Sequence, residues 1–232
     1  MPVSKADLVI RGGPIFQSLQ SLSVDALAVG SGRVLAGGSD ADIEPLVGPS
    51  TRVVELRGRS AMPGFNDAHQ HLLSIGRAMM QVNLRPDAVA TLDELLAAVE
   101  AGVAQTPAGG WVIGGGYDHY RLDVKRHPLR QELDRVSPDN PVFIKRTCGH
   151  MGVANSRALA LAGVDESTPD PPGGHIDKSG GRPTGLLQER AQELTLSIVP
   201  PVSRDALVQA LERAGHHMLS RGVTSVMDAA VG

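Results

Sequence analysis

The pattern of apolar residues changes near residue 60, and this change constrains the fold more than any other feature of the sequence. From Ala6 to Leu56, short apolar runs of strand length are separated by turn residues such as Gly30, Ser31 and Gly32. Beyond that point, strand-like runs alternate with runs of helical period. The sequence therefore predicts a small β module followed by an α/β domain with parallel strands or a barrel.

Two later segments carry strong helical signals. Thr91 has a glutamate, Glu94, three residues on, which is the spacing of a capping box at the start of a helix. A second helical period ends just before Gly222, a position where glycine commonly terminates a helix. We therefore predict amphipathic helices over residues 91–105 and 203–221.

The segment between these helices predicts two buried strands, at residues 111–113 and 141–144. Asn155 is a residue type that caps helices, and a short helix is expected to follow it. Clustered proline, glycine and aspartate predict a surface loop over residues 165–183. The single cysteine, Cys148, is expected to be a small buried side chain.

Charge and cysteine content exclude several classes of function. The 22 basic and 25 acidic residues are scattered along the chain, so the sequence lacks the basic cluster that nucleic acids or anionic membranes would require. The N-terminal residues lack a signal-peptide pattern, and no apolar run could span a bilayer. One cysteine allows neither an internal disulfide nor a zinc cluster built from thiolates, which favours a cytoplasmic location.

A histidine pair follows a Pro63-Gly64 break. On a strand, His69 and His71 would point to the same side, roughly 6.5 to 7 Å apart, so that both could bind one metal ion. Imidazole is a ligand of zinc, iron and nickel. Asp67 is either an acceptor that orients one of these histidines or a turn residue. Without the preceding Pro-Gly break and aspartate, two histidines at this spacing are more often exposed, or packed against other side chains, than bound to a metal.

Residues 62–71, with the sequence MPGFNDAHQH, resemble the PGF(I/N)D-x-H-x-H signature of the amidohydrolase superfamily. Further segments are similar to amidohydrolase family 3, the branch that includes N-substituted formamide deformylase-like and YtcJ-like proteins. These segments are residues 115–118, 133–134, 137–142, 149–150, 155–159 and 183–189. The resemblance covers essentially the whole chain.

The resemblance implies a TIM-like metal-dependent hydrolase barrel with a small N-terminal β-sandwich module. Residues 1–60 would be part of a composite β-sandwich, and residues 61–232 the N-terminal part of the barrel with an inserted segment. Members of this family are longer, so both domains are expected to be incomplete here. The general base is expected beyond residue 232, and little turnover is expected of this chain alone.

The resemblance also assigns metal ligands. His69 and His71 would be the first two ligands of a divalent metal, with zinc the expected ion. Glu189 matches the family's glutamate and would be a third ligand or a bridge between two ions. A solvent-facing helical glutamate is the alternative interpretation of Glu189.

Three further residues are candidates for substrate binding. They are His150, Arg146 and Asp118, each of which lies in or beside a segment matching the family. Each also has a simpler interpretation, as a structural histidine, a surface ion pair or a turn residue, respectively.

The predicted function is hydrolysis of a non-peptide C–N bond, of the amide or formamide type, in a small-molecule substrate. Water activated by the metal would be the nucleophile. Two alternatives remain open: a truncated, non-catalytic remnant or binding protein, and a deaminase that acts on a ring. A homo-oligomer is also compatible with the sequence.

Overall fold

A computed structural model describes residues 5–17 and 23–229, and twelve strands and seven α-helices lie within that part of the chain. The strands are β1 (Leu8–Ile15), β2 (Val24–Gly30), β3 (Arg33–Gly38), β4 (Arg52–Glu55), β5 (Phe65–Gln70), β6 (Val82–Asn83), β7 (Val112–Tyr117), β8 (Val142–Arg146), β9 (Met151–Ala154), β10 (Gly174–Ser179), β11 (Arg182–Glu189) and β12 (Val223–Asp228). The helices are α1 (Asp40–Ile43), α2 (Leu72–Met79), α3 (Leu92–Ala104), α4 (Arg130–Val136), α5 (Ser156–Leu161), α6 (Glu193–Leu196) and α7 (Arg204–Ser220).

The chain divides into two compact units. One comprises Met1–Asp67 and Gly222–Val226, and the other comprises Ala68–Arg221 and Met227–Gly232. Strands β5 and β12 pair with each other in a two-stranded sheet. The domain boundary predicted at residue 60 stays a prediction.

The first unit contains a four-stranded sheet with the order β3-β2-β1-β4. Strand β2 pairs antiparallel with β1 and β3, whereas β4 pairs parallel with β1. Small apolar side chains, Val9, Ala26 and Ala28, are fully buried and pack with Ile43 of α1. The predicted short strands are thus confirmed, and the β-sandwich stays a prediction.

The second unit contains a six-stranded sheet with the order β10-β11-β9-β8-β7-β6. Strands β6, β7 and β8 are parallel, and the predicted strands at 111–113 and 141–144 correspond to β7 and β8. Strands β9, β11 and β10 then pair antiparallel. The sheet therefore mixes parallel and antiparallel strands, and the unit is of the α/β type. The predicted TIM-like barrel stays a prediction.

Both faces of the six-stranded sheet are covered. Along β8, Val142 and Ile144 point to one face, where they pack with Leu95 of α3 and Leu133 of α4. Phe143 points to the opposite face and packs with residues of α5, β10 and β11. This alternation is the period of two expected of a strand, and each of these side chains is fully buried.

Helix α3 begins as predicted. The Thr91 hydroxyl accepts the Glu94 N–H at 3.1 Å, and the Glu94 carboxylate accepts the Thr91 N–H at 3.1 Å. These reciprocal bonds satisfy two N–H groups that have no partner within a helix. The capping box is therefore confirmed.

Helix α7 also matches its prediction and packs against α2. Gly222 follows its C-terminal cap with a φ of 79°, a conformation that glycine adopts without strain. At the contact between the helices, a Cβ on Gly76 would lie 2.1 Å from the carbonyl oxygen of Ala210, so only glycine permits this approach. No helix among the described residues is long and apolar enough to cross a bilayer.

The fully buried Asn155 caps α5 as predicted, and its side chain also joins distant segments. Its Oδ1 accepts the N–H groups of Ala158 and Val142, each at 2.9 Å. Its Nδ2 donates to the carbonyls of Ser137 and Asn140, each at 3.0 Å. All the polar atoms of this buried amide are therefore satisfied.

Two predictions were wrong. Residues 165–183 are not only a loop, because β10 and the start of β11 form a hairpin there, with Gly180 and Gly181 in its turn. The buried Ile176 anchors this hairpin among polar neighbours, whose composition obscured the strand. Cys148 is exposed, because it lies in the turn between β8 and β9.

Candidate metal and substrate site

The two histidines of the signature lie at the end of β5. His69 is within the strand, and His71 is the N-terminal cap residue of α2. Their ring centroids are 5.2 Å apart and their planes are inclined by 84°. Both residues are exposed. Two imidazoles this close together fit the donor set of one divalent ion such as zinc.

The backbone around His71 is held by Asp228, a residue that the sequence did not identify as part of the site. Asp228 Oδ2 accepts the N–H of Leu72 at 3.0 Å, and its Oδ1 lies 3.8 Å from His71 Nδ1. Next to it, the Ala229 N–H donates to the Gln70 carbonyl at 3.2 Å. The sequence offers only one signal for Asp228, an acidic residue at the end of the apolar, β-branched run of residues 223–227.

The described residues assemble only part of a metal site. Among them, no three histidine, cysteine, aspartate or glutamate side chains gather closely enough to hold a metal ion. His69 and His71 come together, but Glu189 does not complete a group of three with them. The donor chemistry of the histidine pair fits a metal, and the remaining ligands are not identified in this part of the chain.

Glu189 instead contacts His150. Its Oε2 lies 3.0 Å from His150 Nδ1, and its N–H donates to the His150 carbonyl at 2.7 Å. The hydrogen bond and the negative charge of Glu189 raise the pKa of His150 above its ordinary value. Glu189 has a φ of 50° and a ψ of −127°, a strained conformation for a residue other than glycine. Strain of this kind is concentrated at functional sites.

Arg146 and Asp118 also come together. Arg146 Nη2 donates to Asp118 Oδ1 at 3.1 Å, and Arg146 Nε donates to His119 Nδ1 at 3.0 Å. The side chains of Arg146 and Asp118 are only 15% and 22% exposed, respectively. The protein itself therefore occupies part of the Arg146 fork, and Asp118 compensates its charge.

Two further histidines, which sequence reasoning missed, extend this network. The His119 and His127 rings stack with their centroids 4.0 Å apart, and the Tyr117 hydroxyl lies 2.9 Å from His127 Nδ1. Burial, followed by the neighbouring His119 and Arg146, lowers the pKa of His127 to about 4. Burial and Arg146 likewise lower the pKa of His119. The run Tyr117-Asp118-His119-Tyr120 was the available signal.

The second unit also contains an open groove of about 1020 Å³. Its walls are apolar in part, with Trp111 and Phe143 among the lining residues, and its charged lining residues are Arg77, Lys145 and Arg213. None of the predicted site residues lines this groove. Its volume therefore gives no support to their assignment as substrate contacts.

Comparison with known proteins places the chain in a family. The model of the amidohydrolase family known as Amidohydro_3 matches residues 52–232. Protein LONG AFTER FAR-RED 3 of Arabidopsis thaliana is 41% identical over 96% of this chain and 38% of its own length. N-substituted formamide deformylase of Arthrobacter pascens is 36% identical over 89% of this chain and 39% of its own length.

A solved structure gives the same result. The uncharacterised metal-dependent hydrolase of Pyrococcus furiosus superposes with a TM-score of 0.71 at 29% identity, covering 97% of this chain and 44% of the other. The chain thus spans about two fifths of the length of the curated relatives it matches. The signature around His69 and His71 and the family match over residues 52–232 agree, and the chain belongs to the amidohydrolase family.

Proposed function

We propose that the whole protein is a metal-dependent hydrolase that cleaves a non-peptide C–N bond, of the amide or formamide type, in a small molecule. The paired imidazoles of His69 and His71, with ring centroids 5.2 Å apart at the end of β5, carry this proposal. The likeness to N-substituted formamide deformylase supports a formamide among the possible substrates. The scattered charges and single cysteine support a cytoplasmic enzyme without nucleic acid or membrane partners.

In this proposal each residue has a definite task. His69 and His71 bind the ion, for which we propose zinc, and Glu189 is a further carboxylate ligand or bridge. A bound divalent ion of this kind polarises a carbonyl and supplies a hydroxide nucleophile near neutral pH. A TIM-like barrel would complete the site, and the base that accepts the proton is not among the residues identified.

The proposed substrate contacts are His150, Arg146 and Asp118. Because Asp118 compensates the charge of Arg146, this pair does not demand an anionic substrate. It can instead donate and accept hydrogen bonds, which suits the carbonyl and N–H groups of an uncharged amide. An uncharged N-substituted formamide is therefore the first substrate to test.

Metal content and amide hydrolysis test the proposal together. Elemental analysis of the purified whole protein should give near-stoichiometric metal, and its His69→Ala/His71→Ala double variant should lose it. The His216→Ala/His217→Ala variant is the matched control, because it removes two exposed histidines of α7. Amine release from an N-substituted formamide by the metal-loaded protein should follow the same order. Retention of full metal by His69→Ala/His71→Ala would refute the metal site.

A non-catalytic binding protein is a second candidate, since no group of three metal-binding side chains forms among the described residues. In that case neither metal loading nor substrate choice would produce turnover. A ring deaminase would instead release ammonia from an amino-substituted ring and leave formamides intact. Parallel assays for amine and ammonia release distinguish the three candidates.

A further inference from the structure

Asp228 directs its two carboxylate oxygens towards the junction between β5 and α2, one to the backbone and one to the His71 ring. Oδ2 accepts the Leu72 N–H at 3.0 Å, and Oδ1 lies 3.8 Å from Nδ1 of the His71 ring. The Asp228 side chain is 18% exposed, whereas that of His71 is 47% exposed. One relatively sheltered carboxylate thus faces both the backbone and the ring at the end of the strand.

The first of these contacts supplies what α2 lacks. The helix starts at Leu72 after His71, whose side chain makes no cap hydrogen bond, and its first turn contains no acidic residue. The first N–H groups of a helix have no partner within it, and a negative charge beside them is stabilising. Asp228 supplies an acceptor and a charge from another strand, which holds the backbone at His71.

The second contact concerns the ring. A carboxylate on the Nδ1 side favours a proton on Nδ1, so the Nε2 lone pair stays available to bind a metal. Histidines that bind metals generally have a carboxylate, carbonyl or water at their other nitrogen, which fixes the tautomer and the ring orientation. The 3.8 Å separation is longer than a hydrogen bond, so this contact is electrostatic.

We propose that Asp228 is a positioning residue that holds both the backbone and the ring of His71 for metal binding. This inference rests on the proposed metal-dependent function. Asp228 itself is not proposed as a metal ligand. A role as helix cap alone is the competing explanation, and the amide isostere separates the two. In Asp228→Asn the single amide oxygen can still accept the Leu72 N–H. The NH₂ group then takes the place of the negative oxygen that faces His71 Nδ1 in the wild type.

The first experiment measures the affinity for Zn²⁺ by competition with a chromophoric chelator. Asp228→Asn should weaken binding roughly 10- to 100-fold while the thermal unfolding midpoint changes little. Asp228→Ala should weaken binding at least as much and also lower the midpoint, because the cap is lost. The matched control, Asp93→Asn, changes an exposed acidic residue in the first turn of α3 and should bind as the wild type does. Wild-type affinity in Asp228→Asn would leave Asp228 as a cap only and overturn the proposal.

The second experiment does not depend on metal. Long-range ¹H–¹⁵N correlation spectra of the metal-free protein at neutral pH report the tautomer of His71. We expect the proton on Nδ1 in the wild type and a shift towards Nε2 in Asp228→Asn, whose NH₂ group would donate to Nδ1. A wild-type ring protonated mainly on Nε2 would overturn the role of Asp228. Absence of Zn²⁺ binding in every variant would instead refute the proposed function, while the tautomer would still decide how Asp228 acts on His71.

Discussion

The six-stranded sheet and the β5–β12 strand pair are stabilised in different ways. Strand β8, at the centre of the six-stranded sheet, contributes fully buried side chains to both faces. Strands β5 and β12 contain no buried residue along their whole lengths. Burial therefore supports the scaffold, whereas hydrogen bonds such as that from Leu72 to Asp228 hold the candidate metal site. Stability and site geometry thus have separate physical sources in this chain.

Matched phenylalanine truncations provide the largest test of this contrast. Phe143 on β8 is fully buried, whereas Phe65 on β5 is 55% exposed. Phe143→Ala should lower the free energy of unfolding by about 3–5 kcal/mol, because it removes apolar contacts and leaves a cavity. Phe65→Ala should cost less than about 1 kcal/mol. Denaturant unfolding of both variants measures the two values.

A similar cost for the two truncations would break the comparison, because it would mean that β5 contributes to a core as β8 does. The slope of the unfolding transition is the control. A large change in slope would indicate that a variant no longer unfolds in one step, and its free energy could not be compared with that of the wild type.

The local elements were predictable because their signals are local. The capping box at Thr91 and the glycine after α7 act within a few residues, and the spacing of His69 and His71 is itself a strand period. The family resemblance around the histidines was likewise carried by one short run, residues 62–71.

The mixed sheet and the surroundings of the histidines were not predictable, because they depend on long-range pairing. The antiparallel half of the sheet joins Val153 of β9 to Leu186 of β11, and no periodicity in either segment specifies that partner. Asp228 lies 156 positions from Leu72, the residue whose N–H it accepts. A carboxylate at a strand end has many possible partners, and only the folded chain selects one.

A pH effect of intermediate size sharpens the comparison, because it arises from the burial of one histidine, His127. The pKa of His127 is lowered from 6.5 to about 4 in the folded chain, mainly by burial. Unfolded chains therefore take up a proton as the pH falls below about 6.5, while the folded chain stays neutral until about pH 4. The part of the free energy of unfolding that depends on neutral His127 is therefore complete above about pH 6.5, and it is lost as the pH falls towards 4.

The His127 side chain is only half-buried, so solvent screening limits the expected loss to about 1–2 kcal/mol between pH 7 and pH 4. His127→Gln keeps a hydrogen-bonding group beside Tyr117 but cannot become charged, and its unfolding free energy should depend less on pH. His217→Gln on α7, which changes an exposed histidine, should keep the wild-type dependence. Identical pH dependence in His127→Gln and the wild type would contradict the assignment.

The smallest expected effect lies at Glu189. This residue ends a strand of the six-stranded sheet, but burial does not stabilise it as it stabilises the side chains of β8. Glu189 ends β11 with its side chain 58% exposed and its φ at 50°, so its conformation has a cost that burial does not offset. Such strain is about 1–3 kcal/mol, and the extra backbone freedom of glycine in the unfolded chain offsets about 0.5–1 kcal/mol of its relief. With strain towards the lower end of that range, about 1.5 kcal/mol, Glu189→Gly should stabilise the protein by roughly 0.5–1 kcal/mol.

The comparison variant is Glu193→Gly, because Glu193 is an exposed glutamate with a helical φ of −61°. It should destabilise the protein by about 0.5–1 kcal/mol, since glycine has no strain to relieve there. Thermal unfolding measures both shifts, and metal content measures whether Glu189→Gly loses the ion. Stabilisation accompanied by loss of metal would mean that the strain is retained because the carboxylate is needed. Destabilisation of equal size in both variants would mean that the backbone at Glu189 stores no strain. The pairing with His150 would then be the remaining structural role of Glu189.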